Sequence, residues 1–73
     1  MSEFMTSDLQ LAAWLRLLGH EPTRIDGTAR NRVFVFPSVP EWDVADYYKG
    51  TRAINAQRLF GHYRELRARL FEL

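Results

Sequence analysis

Cysteine is absent from this chain, which removes disulfides and thiolate metal sites and suits a cytoplasmic setting. No apolar run approaches the roughly 20 residues a bilayer-crossing helix needs. The first residues lack the basic-then-apolar layout of a secretion signal, so no membrane partner is expected. There is no glycine-rich cradle for a phosphate. His20 and His62 stand apart from each other and from any neighbouring nucleophile, so they form neither a zinc set nor a catalytic pair. Asp43 and Asp46 lie one helical turn apart but lack the further oxygen ligands that Mg²⁺ or Ca²⁺ demands. An acidic first turn is in any case what the helix dipole favours. No catalytic residue, metal site or cofactor is therefore expected, and the chain reads as non-enzymatic.

What is present is a compact budget of apolar residues. At 73 residues, 47% of them hydrophobic and 14% aromatic, the chain has enough for one core and no room for a second. A domain of this size is marginal unless a metal, a disulfide or a partner supports it. With the first two unavailable, self-association as a dimer becomes the expectation. The net charge of +1 hides a local polarity. Residues 38–50 carry Glu41, Asp43 and Asp46 against Lys49, while residues 51–73 set Arg52, Arg58, Arg64, Arg67 and Arg69 against Glu65 and Glu72. An acidic segment precedes a basic one. All ten basic residues except Lys49 are arginine, which fits bidentate contacts and equally fits an arginine-biased, GC-rich genome.

Along the chain, the opening MSEF ahead of Met5 resembles a vector remnant. Residues 1–5 are read as a cloning remnant or a disordered tail outside a single domain at 6–73. Ser7-Asp8-Leu9-Gln10 has the spacing of a capping box, opening a helix that runs through Leu18 and stops at Gly19. At about 100° per residue, Leu11, Trp14, Leu15 and Leu18 share one face, with Leu9, Ala13 and Leu17 opposite. A helix apolar nearly all round must be covered on two sides, and in so short a chain one side is assigned to another subunit. Glu21–Asp26 and Arg32–Phe36 flank Gly27–Asn31 and read as an antiparallel hairpin. Val33 and Val35 point one way, Phe34 and Phe36 the other. Ser38-Val39-Pro40-Glu41 repeats the capping-box spacing before a helix ending at Lys49-Gly50. Thr51 is read as the cap of a last helix reaching about Phe71. Gly61 within it costs about 1 kcal/mol relative to Ala, which points to a close packing contact there. The expected architecture is α+β in the order α-β-β-α-α, a two-stranded hairpin packed among three helices.

The segments TSDLQLAAWL at 6–15, VFVF at 33–36, DYYKG at 46–50 and INA at 54–56 together resemble a group of short bacterial and phage proteins catalogued as a domain of unknown function. The resemblance runs from Thr6 through most of the chain, and its motifs are structural: a cap, an apolar strand and a helix–glycine–helix junction. It implies a phage or mobile-element setting and brings no catalytic residue with it.

The last helix raises the functional question. Leu59, Tyr63, Leu66 and Leu70 form a seam flanked by Ala56, Phe60 and Phe71, so its aromatic residues read mostly as core. Base stacking needs rings and cations on one exposed face, and here the two largely separate. Asn55, Arg58, His62 and Arg69 make a second, solvated stripe suited to phosphates, with Glu65 placed to pair with Arg69. The same stripe also reads as an ordinary charged surface. Arg30 and Arg32 beside Asn31 at the hairpin tip extend the basic surface. The leading expectation is a self-associating accessory protein that binds nucleic acid electrostatically through Arg30, Arg32, Asn55, Arg58, His62 and Arg69. Leu9, Ala13, Leu17, Trp42 and Tyr47 are the candidate protein-contact residues. The alternatives are an inhibitor or adaptor of a host protein, working through the acidic-aromatic segment around Trp42, Asp46 and Tyr47, or a purely structural oligomerisation domain. Trp42, Tyr47 and Tyr48 also read as core that anchors their helix on the hairpin.

Overall fold

The computed structural model describes residues 3–28, 30–50 and 52–72. In chain order its elements are β1 (Phe4–Thr6), α1 (Leu9–Leu17), β2 (Arg24–Asp26), β3 (Val33–Phe36), α2 (Glu41–Lys49) and α3 (Ala56–Leu70). The fold is α+β with the expected hairpin and three helices, and one strand more than the sequence reading gave. Phe4 and Met5, set outside the domain on sequence grounds, pair with Phe36 and Val35. The sheet order is β1-β3-β2, antiparallel throughout.

The extra strand answers the need of a strand that is apolar on both faces. Placed at the centre, β3 has both edges paired, and Phe34, Val35 and Phe36 are fully buried. Phe34 and Phe36 join the helical core. Val35 points to the other face, where its register neighbours are Met5 and Arg24. The Arg24 guanidinium is tied down by Asp26 at 3.0 Å and Glu3 at 3.2 Å. The first hairpin strand is shorter than expected because Pro22 has no N–H to donate and Glu21 turns back to Arg16 at 3.2 Å.

Helix α1 is the hub. Its cap is Asp8 rather than Ser7, the Asp8 carboxylate accepting from the Gln10 and Leu11 N–H groups. It ends where expected, at Leu18, with Gly19 following at φ +100°. Its apolar circumference is covered by α3, α2 and β1 of the same chain, so Leu9 and Ala13 are buried in this molecule's own core. That corrects their assignment to a subunit interface: the second covering layer comes from within the chain. The radius of gyration, 11.8 Å, is close to the roughly 11 Å expected of a compact single chain of this length.

Helix α2 starts at Pro40 without a side-chain cap, so the second capping box does not form. Helix α3 begins at Ala56, where Asn55 Oδ1 accepts the Arg58 N–H at 3.0 Å. The expected cap, Thr51, lies outside the described residues. The helix starts late because Arg52 turns back onto α2, holding the linker out of helical geometry. A Cβ on Gly61 would meet nothing within 4 Å, which corrects the expected close contact there.

Candidate nucleic-acid interface

The seam that seats α3 in the core is narrower than the sequence pattern implies. Leu66 and Leu70 are buried, with Leu59 and Tyr63 packed beside them. Phe60 and Phe71 fall outside it, 57% and 79% exposed. Between them lie Arg64 and Arg67, both exposed. The spacing of i, i+4, i+7 and i+11 places all four on one stripe, where residues three and four apart are surface neighbours. The stripe spans about 16 Å at 1.5 Å per residue. Rings and cations therefore do share an exposed face, against the separation expected from sequence.

The arginines differ in how far they are committed. Arg16 is paired with Glu65 at 2.6 Å and Glu21 at 3.2 Å, and Arg69 reaches Glu21 at 3.4 Å. The expected Glu65–Arg69 pair is thus replaced by bridges from α3 to the end of α1. Among the described residues, Arg64 and Arg67 have no acidic partner, so their charge faces solvent undiluted.

The predicted basic stripe is dispersed. Asn55 is used as the α3 cap. Arg58 and His62 line a hollow with Leu17, Gly61 and Glu65, and the His62 Nδ1 is buried, without a hydrogen-bond partner among the described residues. Arg69 belongs with Glu21 and the Pro22–Ile25 segment. Arg30 is exposed at the hairpin turn, whereas Arg32 reaches a hollow with Leu9, Tyr63, Arg67 and Phe71. The hairpin thus delivers one arginine to the α3 surface. Of the candidate protein-contact residues, Trp42 is 67% exposed. Leu17 is half-buried beside His62. Tyr47 is half-buried against Trp14, ring centroids 5.7 Å apart.

A third hollow opens where α2 and α3 diverge over α1. Ala13 forms its floor, Tyr47, Leu59, Phe60 and Tyr63 its walls and Gln10 its rim, around a space of about 200 Å³. Tyr63 borders both this groove and the Arg32–Arg67 hollow, and Phe60 links the groove to the exposed stripe. Burial pushes the Tyr47 hydroxyl above its ordinary pKa, with Asp8 adding to the shift.

Beneath this surface sits a polar cluster that sequence reading missed. Asp43 is buried. Its carboxylate accepts from His20 Nε2 at 2.8 Å and Arg52 Nη2 at 2.9 Å, and its backbone carbonyl accepts from Trp14 Nε1 at 2.9 Å. Asp46 holds the same guanidinium, which lies 5.9 Å from the Trp14 ring centroid. The His20 hydrogen bond, followed by Arg52, holds the Asp43 carboxyl below its ordinary pKa against the opposing effect of burial. Asp43 and Asp46 are thus committed to locking the α2–α3 linker onto α1. Among the described residues no cluster of three or more potential metal ligands occurs, and no helix is long and apolar enough to cross a membrane.

No curated protein and no solved structure matches the chain. The family profile described as Domain of unknown function (DUF5659) matches residues 1–71, a span that takes in β1 as well as the helices. The chain belongs to that family.

Proposed function

We propose that this protein is a small non-enzymatic binding protein that holds single-stranded nucleic acid along α3, in the phage or mobile-element setting its sequence resemblance implies and the cytoplasmic setting that a chain without cysteine suits. The observation that carries this reading is the exposed stripe Phe60–Arg64–Arg67–Phe71. Bases stack on aromatic rings without regard to sequence, and guanidinium groups meet the phosphates between them. A single strand fits better than a duplex, whose bases are already stacked on one another. Arg32 lies against the same surface and extends it toward the hairpin.

A gel-shift titration with a short oligothymidylate at low salt tests the reading. The expected result is a shift that Phe60→Ala and Arg67→Ala each weaken and that added salt abolishes. Absence of any shift at low salt would remove the proposal.

A second reading rests on a different observation. Trp42 and Tyr48 on α2 are 67% and 69% exposed, next to the acidic Glu41, which fits a hot spot for a basic partner protein. Nuclease-resistant capture of a host protein that Trp42→Ala abolishes and Arg64→Ala leaves intact would favour it.

A further inference from the structure

The α3 stripe explains contacts with any strand, but the groove beside it has a shape of its own. Its floor is Ala13, a residue too small to fill the gap between α2 and α3. Its walls carry three aromatic side chains, Tyr47, Phe60 and Tyr63, and Gln10 supplies an exposed amide at the rim. The space of about 200 Å³ suits one flat ring system. Tyr47 is backed by Trp14 on one side and meets Tyr48 edge-on at 5.1 Å, so this wall is held in place before any ligand arrives.

The charge around the groove limits what can occupy it. Tyr63 is shared with the hollow that contains Arg32 and Arg67, and Arg67 follows Tyr63 by one helical turn. A group attached to a ligand seated between the rings would point past Tyr63 toward the Arg32–Arg67 side of α3. Flat apolar faces, a polar edge and an anionic tail describe a nucleotide unit.

Resting on the single-strand reading above, we propose that this groove accepts one unpaired nucleobase. Its faces lie against Phe60 and Tyr47, its edge is read by the Gln10 amide, and its phosphate is held at Arg67. In this arrangement the protein does more than neutralise phosphates: one position along the bound strand must carry a base, and the amide gives that position a base preference.

Two fluorescein-labelled strands of equal length test this, one oligothymidylate and one bearing abasic sites throughout, titrated at low salt and followed by anisotropy. Stacking is worth on the order of tenfold or more in affinity per base, so the base-bearing strand is expected to bind at least tenfold tighter. Gln10→Trp, an exposed rim position whose new ring would fill the groove, is expected to reduce that difference severalfold. Circular dichroism confirms that the variant is folded. Phe60→Ala, which removes one ring of the groove, is expected to narrow the difference as well. Equal binding of the two strands by the wild-type protein would overturn the base site together with the stacking role of Phe60 and Phe71, leaving phosphate contacts alone, whereas a preference for the base-bearing strand that Gln10→Trp leaves undiminished would overturn the groove and keep the stripe reading. Binding of neither strand would overturn both. If neither strand binds but an acidic tryptophan-containing peptide does, and Gln10→Trp blocks it, the groove belongs to a protein ligand and the proposal fails.

Discussion

Asp43 is where the polar interior converges, and its environment gives a prediction at the scale of a single side chain. Its carboxylate joins His20 from the loop after α1 to Arg52 from the linker before α3. Replacement by Asn keeps the shape and the backbone bond to Trp14 but removes the charge facing Arg52. Removing one partner of a fully buried pair costs roughly 3–5 kcal/mol. Asp46 still holds Arg52 here, so a loss of about 2 kcal/mol is expected for Asp43→Asn. The direction with pH follows from the lowered Asp43 pKa. A carboxyl whose pKa is lower folded than unfolded stabilises the fold above its unfolded pKa, and that contribution disappears as pH falls through the folded value. Urea unfolding at pH 7 and below about pH 4 should show the wild-type protein losing stability on acidification by more than Asp43→Asn does; parallel losses would contradict the assignment. Two glycines make opposite predictions. A Cβ at Gly27, at φ +88°, would lie 2.1 Å from the Asn31 carbonyl oxygen, so Gly27→Ala should destabilise by at least about 1–3 kcal/mol. Gly61 sits mid-helix facing open space, so Gly61→Ala should stabilise by about 1 kcal/mol. Thermal unfolding of the two variants measures both.

At the scale of elements, α3 carries two adjacent seams, one structural and one solvent-facing. Truncation should separate them: Leu66→Ala costs about 2–5 kcal/mol, whereas Phe60→Ala and Phe71→Ala stay within about 0.5 kcal/mol and weaken nucleic-acid binding instead. Comparable stability losses in both sets, measured by chemical denaturation, would show that the exposed rings belong to the core. The same helix shows what was legible in the sequence. The leucine seam, the ends of α1 and α2 at Gly19 and Gly50, and the VFVF strand are visible in periodicity and glycine placement, because local geometry decides them. The width of the seam is not visible. Phe60 and Phe71 are apolar and lie beside it, and only the position of α1 leaves them outside. Strand β1 was illegible for a related reason: Phe4–Thr6 is three residues long, and its partner strand lies about thirty positions onward. The caps were misplaced by one to four residues because Ser7 and Asp8 compete for one role, and because Arg52 keeps the last linker extended. Arg52 itself carried no sequence signal, since its partners are set by how α2 and the linker fold together.

For the whole molecule, the question is whether one chain encloses its own core. The high apolar content pointed to a partner over α1, yet the sheet, α2 and α3 cover that helix, and Leu9 is buried within the chain. Leu9→Ala should lower the unfolding free energy by about 2 kcal/mol and leave the sedimentation coefficient of the folded protein unchanged. A variant that keeps its stability but dissociates from a dimer would restore the interface reading. Exposed rings and arginines without an acidic partner among the described residues come together along α3, at Phe60, Arg64, Arg67 and Phe71, and the functional account rests there. The most direct measurement is the salt dependence of oligothymidylate affinity, by fluorescence anisotropy between about 50 and 200 mM salt, for the wild-type protein and the Arg64→Ala/Arg67→Ala double variant. Two phosphate contacts on a single strand should contribute about 1.4 to the slope of log affinity against log salt. The double variant is expected to bind more weakly with a slope shallower by that amount. Undetectable wild-type binding at the lowest salt, or an unchanged slope in the double variant, would contradict it.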